Sequence, residues 1–252
     1  EDGKHSLVIA GYRQPKEVHL AAIVINKLLG NVGETLLLQD FKPSDFGSIK
    51  DLESKFKEGD NLVVFGGDPS YNTPADIDWE GIVKKAKKFI RHGYYNVDQT
   101  SQAATAYIPA AHYLESWGDA RTSDGTLVPV QPLIAPLFGG LTEIEVLARI
   151  SGSEEDPYKI TRKTFASIAG DSEEAWNKFL HDGFLAGSSK KELFRDLDSE
   201  ILDSSILIKD QNKHIKPYKQ NFEVTFYRDI NMDDGRWANN GWLLETPDPL
   251  TR

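Results

Sequence analysis

The sequence predicts an α/β fold: a doubly wound, mainly parallel sheet with helices on both faces, followed by a helical and short-strand extension. Three observations carry this expectation. Short apolar runs alternate with amphipathic stretches as far as residue 111, the pattern of strand–helix–strand units with buried parallel strands. The rhythm stops at PVQPLIAPLFGG (129–140), whose three prolines and two glycines suit a loop crossing the surface. Beyond it, helical patterns follow one another with no strand between them.

Each element has its own justification. SLVIAG (6–11) is an apolar run closed by Gly11 and reads as a buried strand. In PKEVHLAAIVINKLLGN (15–31), Pro15 suits a first helical turn, where its missing N–H costs nothing. Val18, Ala22, Ile25 and Leu29 then share one helical face, and Gly30 or Asn31 closes the end. ETLLLQ (34–39) reads as a second strand, SIKDLESKFKEGD as a short amphipathic helix, and NLVVFGGDP (61–69) as a third strand with a glycine-rich turn. DWEGIVKKAKK is helical, KFIRHGYY a strand, DQTSQAATA a short helix and AYIPAA the next strand. TEIEVLARIS, PYKITRKTFASIAG and SEEAWNKFLHDGFLAG read as three helices, the last opened by a serine N-cap and acidic residues. SKKELFRDLD is highly charged, SSILIK and FEVTFYRD are strand candidates, and DGRWANNGWLLETP closes the pattern.

Charge and composition exclude several functions. Lys plus Arg number 29 against 39 Asp plus Glu, a net charge of −10, which opposes binding to nucleic acid or anionic membrane. There are no cysteines, so no disulfide, thiolate zinc site, cysteine nucleophile or cysteine-held cluster can form within the chain. No apolar run reaches the roughly 20 residues of a membrane-spanning helix, so no direct membrane insertion is expected.

The candidate site residues lie in turns after the expected strands, where open α/β sheets hold ligands. Gly66 and Gly67 let backbone approach a ligand, with Asp68 beside them; the alternative is a turn that merely ends a strand. The stretch is neither a P-loop nor a GxGxxG fingerprint. His112 and Glu115, three apart, form either an acid–base or ligand pair, or a hydrogen-bonded structural histidine with its partner. Asp119, Arg121 and Asp124 read as a loop ion-pair network or a contact to a polar ligand. His19 suits a surface or capping role, and His181 a helix C-terminus. Trp237 and Trp242 suit a packing or subunit contact. No residue is assigned to catalysis or to a metal.

Three stretches together resemble the molybdopterin oxidoreductases of the dimethyl sulfoxide reductase family. GYRQPKEVHLAAIVINKLLGNVGET is similar to the family's LxGNxG helix, and VVFGGDPSYNTPAD to its GxNPxxxxPD turn. DQTSQAATAYIPAAHYLESWGDARTSDGT is similar to its TxTAxxADxxLPAxxxxExxG segment. A narrower likeness, to the large iron–sulfur subunit of alternative complex III and its Tat-variant-translocated relatives, rests on PAAHYLESWGDAR, VQPLIAPLFGG, AWNKFLHDGF and DGRWANNGWLLETPDPLT.

The resemblance implies a respiratory electron-transfer subunit on the periplasmic side, held to the membrane through its complex. Residues 1–140 would be the Rossmann-like part of a molybdopterin-oxidoreductase-like domain, and 141–252 an extension packed on it. Partners would be other domains of the same subunit and subunits of the membrane complex, not nucleic acid. The family uses molybdopterin guanine dinucleotide and iron–sulfur clusters, yet two departures point to a vestigial site at Gly66, Gly67, Asp68, His112, Glu115 and Arg121. Asp68 stands where active members have Asn, and WGDARTSDGTLVPVQ lacks their EGR loop. No cofactor is therefore expected in this chain, which reads as a non-catalytic scaffold. Glu1 in place of Met and the abrupt end at Arg252 suggest a piece of a longer subunit. The alternatives are part of an active bis-pterin molybdenum enzyme, or a small-molecule binder using the 66–69 turn.

Overall fold

Three of the expected strands align as a parallel sheet, β1 (Asn61–Phe65), β2 (Lys88–Gly93) and β3 (Ala106–Pro109), in the order β1-β2-β3. The computed structural model describes residues 6–39, 46–190, 224 and 226–247, and over these the chain is mixed α/β. It divides into two compact units, residues 38–193 and residues 1–37 with 194–252.

In the first of these units the register pairs Leu62 with Phe89 and Val64 with Arg91, so alternation puts all four on one sheet face. Ile90 and His92 take the opposite face with Val63 and Phe65. Leu62 and Phe89 meet Trp79 and Ile82 in a buried cluster. Those two come from α4 (Trp79–Lys85), and Ile49 and Leu52 of α2 (Ile49–Lys55) close over them. Both helices begin where their sequences signal: Ser48 and Asp51 form a reciprocal capping box, and Asp78 accepts from the Gly81 amide at 2.9 Å. Short helices α3 (Pro69–Asn72) and α5 (Gln99–Ala103) follow β1 and β2 and touch each other.

The antiparallel hairpin β4 (Gly118–Arg121) and β5 (Leu127–Val130) packs with the helices expected after residue 141. These are α6 (Glu143–Ile150), α7 (Pro157–Ala169) and α8 (Glu173–Asp182). Leu127, Phe165, Trp176 and Phe179 are at most 2% exposed and form a second core. Phe165 stacks on Phe179 at 4.9 Å and meets Trp176 edge-on at 5.3 Å, arrangements that favour the ring quadrupoles. The indole N–H of Trp176 donates to the Tyr158 hydroxyl at 3.0 Å, so the largest buried side chain leaves no polar atom unpaired.

The other unit holds α1 (Lys16–Leu28), and here two expected strands differ. Residues 6–11 join no ladder among the described residues, because a side chain takes the place of a neighbouring strand. Buried Asn26 accepts from the Val8 amide at 2.9 Å and donates to the Val8 carbonyl at 2.7 Å. Residues 34–39 contribute an isolated bridge, Val32 to Leu36, since the Asn31 carbonyl already gathers the amides of Glu34, Thr35 and Leu36. SSILIK, most of SKKELFRDLD and part of FEVTFYRD lie outside the described residues. Trp242 sits in the short helix Gly241–Leu244 and is exposed.

Replacing Trp176 with alanine is expected to destabilise the chain by about 3–5 kcal/mol, and Tyr158→Phe by about 1–2 kcal/mol through the orphaned indole N–H. Urea unfolding followed by tryptophan fluorescence checks both. A Tyr158→Phe chain as stable as the parent would show that this hydrogen bond contributes nothing.

Candidate functional site

The carboxyl ends of β1, β2 and β3 bring together the turns that hold five of the six predicted residues. Gly66 and Gly67 end β1 with φ of +56° and +59°, a left-handed pair in which any Cβ would be strained. Open space surrounds both Cα atoms, so backbone conformation, not crowding, requires glycine here.

The turn is held by Arg91, a residue the sequence reading passed over. Its side chain is 3% exposed, and its guanidinium donates to the carbonyls of Gly66 and Gly67 at 2.5 Å each and of His92 at 3.0 Å. A fourth bond reaches the Asp98 carboxylate at 3.2 Å. The group lies over Gly93, where a Cβ would stand 2.8 Å from the guanidinium carbon. The other oxygen of Asp98 accepts from the Ser101 amide at 2.6 Å and caps α5. Burial raises the Asp98 carboxyl, but the bonds from Ser101 and Arg91 outweigh it and hold the group below its ordinary value.

Asp68 is engaged in the same way. One of its oxygens accepts from the Thr100 amide at 3.2 Å and from the Thr100 hydroxyl, and Thr100 is fully buried. That hydroxyl oxygen in turn accepts from the Ser70 amide at 3.0 Å. An open groove of about 350 Å³ runs nearby, lined by Ser70, Trp79, Gln99 and Lys84 among others.

His112 and Glu115 do come together, as a cap. The His112 ring accepts from the Leu114 amide through Nδ1 at 3.2 Å, and Glu115 accepts from the His112 amide at 3.1 Å. They open the 3-10 turn Tyr113–Glu115, and the second oxygen of Glu115 accepts from the Leu137 amide at 3.3 Å. Of the two readings left open by their spacing, this geometry matches the hydrogen-bonded structural histidine. Arg121 lies on β4 and donates to the Gly125 carbonyl of its own hairpin at 2.7 Å. Asp124 accepts from Thr122 and Thr126, so hydrogen bonds rather than an Arg121 ion pair close that loop among the described residues.

Arg91, His92, Asp98 and Thr100 were missed for one reason: KFIRHG reads as an apolar strand and DQTSQ as an ordinary cap. The available signal was the charge itself, since Arg and His inside a buried strand must be paired. His92 is 1% exposed, and its Nε2 donates to the Leu141 carbonyl at 2.8 Å while Nδ1 has no partner. Arg91 Nε is likewise unpartnered. Among the described residues no three His, Asp or Glu side chains converge as metal ligands, and no helix is long and apolar enough to cross a membrane.

Apart from buried Arg91, the turns at this edge are acidic. The turns at 66–78, 94–105, 110–117 and 131–142 contain no Lys or Arg, while Asp68, Asp76, Asp78, Asp98 and Glu115 lie within them. No protein-family model and no curated protein matches the sequence.

Arg91→Met is expected to destabilise the chain by about 3–5 kcal/mol, because two turn carbonyls and Asp98 lose their donor together. Since the folded state depresses the Asp98 pKa, its stabilisation is complete above the ordinary carboxylate range and fades as pH falls through the folded value. Asp98→Asn should therefore cost stability at neutral pH and converge on the parent in acid. Urea unfolding of both chains across that range checks this, and a difference independent of pH would refute it.

Proposed function

We propose that the chain is a non-catalytic scaffold domain of the molybdopterin-oxidoreductase type, working within a respiratory electron-transfer subunit. The observation that carries this reading is the use of the predicted ligand turns by the protein itself. The Gly66 and Gly67 carbonyls bind Arg91, Asp68 binds Thr100, His112 and Glu115 cap each other, and Arg121 closes its own hairpin.

The residues present do not fit a pterin dinucleotide. A pyrophosphate is held best by available cations, and this edge offers carboxylates around an arginine that is buried and already bonded four times. Phosphate beside Asp68 and Glu115 would meet like charge. The scaffold reading extends to a doubly wound arrangement, which the three parallel strands and their helices support. It places the domain on the periplasmic face of a membrane complex, with neighbouring subunits as its partners. A turn without basic residues also weakens the reading in which the 66–69 stretch alone binds a nucleotide.

Full-length protein from its native source is expected to contain no stoichiometric molybdenum and to release no pterin on acid denaturation. Elemental analysis and pterin fluorescence measure these. Molybdenum at about one per chain with substrate turnover would overturn the scaffold reading, because both need a competent bis-pterin site.

A further inference from the structure

The carboxyl edge carries a surface that the scaffold reading leaves unassigned. Tyr94 after β2, Tyr113 after β3, and Leu133, Ile134, Leu137 and Phe138 of the 131–140 loop are all exposed, Phe138 at 86% and Leu133 at 76%. They share one edge because the loops are stitched together. The Leu133 amide donates to the Leu114 carbonyl at 2.7 Å, and the Tyr94 and Tyr113 rings flank His112 at 5.7 and 4.2 Å. Gly140 pins the far end of the loop, since a Cβ there would stand 2.8 Å from the Ala111 nitrogen.

Single exposed apolar residues are ordinary, whereas a joined apolar patch marks an interaction site. Its charge selects the partner. Glu115 and Glu143 border it, and no Lys or Arg occurs from 92 to 120 or from 122 to 148. Burial first, and then these two carboxylates, raise the Tyr94 hydroxyl above its ordinary value, which places both carboxylates close enough to act on the patch. Such a rim repels nucleic acid and anionic lipid and favours cations. Three separate loops supply the apolar groups, a breadth that suits a polypeptide rather than a small cation.

We infer that this edge docks a basic amphipathic polypeptide segment, with apolar side chains seated on Tyr94, Leu133 and Phe138 and Lys or Arg facing Glu115 and Glu143. The inference rests on the scaffold reading and gives that scaffold its contact face.

The test titrates the full chain, by calorimetry, with a synthetic helical peptide of Leu and Lys and with its Leu/Glu and Ser/Lys counterparts. The Leu/Lys peptide alone should bind. Leu133→Ser/Phe138→Ser and, separately, Glu143→Lys should each weaken it about ten-fold or more. All three positions are exposed, and unchanged thermal unfolding will confirm that the variants fold. Equal binding by the Ser/Lys peptide, or undiminished binding by the variants, would overturn the inference. So would a concentration-dependent dimer abolished by Leu133→Ser/Phe138→Ser, which would assign the face to a second copy. Each of those results leaves the scaffold reading standing; molybdenum and turnover in the native protein would remove that reading instead.

Discussion

A guanidinium enclosed at the end of the parallel sheet sets the geometry of everything around it. Arg91 projects from β2 on the same face as Leu62 and Phe89, so its stem continues the apolar core. Its head must then find acceptors, because an unpaired buried charge is costly. The acceptors are backbone carbonyls of the 66–67 turn and of β2 itself, with Asp98 supplying the countercharge. Left-handed glycines aim two of those carbonyls inward, the missing Cβ of Gly93 makes room, and Asp98 links the arginine to the start of α5. One side chain thus fixes the turn after β1, the end of β2 and the helix that leads to β3. A turn held this firmly through its carbonyls presents a defined surface, which suits a structural role better than a loop that must close over a ligand.

Much of the fold was legible in the residues. The parallel strands appear where short apolar runs end in glycine or proline, and Ser48, Thr142 and Ser172 start helices as their N-cap chemistry requires. The two expected strands that did not form depend on Asn26, whose side-chain amide meets the Val8 backbone 18 residues away, and on the Asn31 carbonyl, which gathers the three amides of its own turn. Periodicity cannot register such a contact, since it reads side-chain faces and not the destination of each backbone group. The candidate site was legible in position but not in partnership. Gly66, Asp68, His112 and Glu115 were found from local motif shape, whereas Arg91 and Thr100 act across 24 to 32 residues of chain. Long-range pairing of that kind follows from strand register, which no single stretch contains.

Charge is distributed unevenly along the sheet direction. Lys84 and Lys85 end α4, where the helix dipole favours them, and Lys87 and Lys88 lead into β2. The Lys85 carbonyl accepts from Gly59 and the Lys87 amide donates to Asp60, so these lysines stand beside the start of β1. The amino edge is therefore basic and the carboxyl edge acidic and aromatic. This polarity makes the two edges chemically distinct and orients any charged partner that approaches.

The same polarity bears on how a ligand-binding architecture can become an assembly surface. In an open α/β sheet the carboxyl edge is where loops are free to vary and where backbone groups point outward. Here the Gly66 and Gly67 carbonyls face inward to Arg91, His112 and Glu115 cap each other, and the outward face is built from Tyr94, Tyr113, Leu133 and Phe138. Turn carbonyls aimed inward at Arg91 stabilise the turns, while Leu133 and Phe138 and much of the two tyrosines stay exposed. The two conditions reinforce each other, because a rigid turn presents its exposed rings at low entropic cost to whatever binds them. Arg91 orders the turns after β1 and β2, and Glu115 with the Leu114 carbonyl orders the loop that carries Leu133 and Phe138, so both parts of the edge are held by internal bonds.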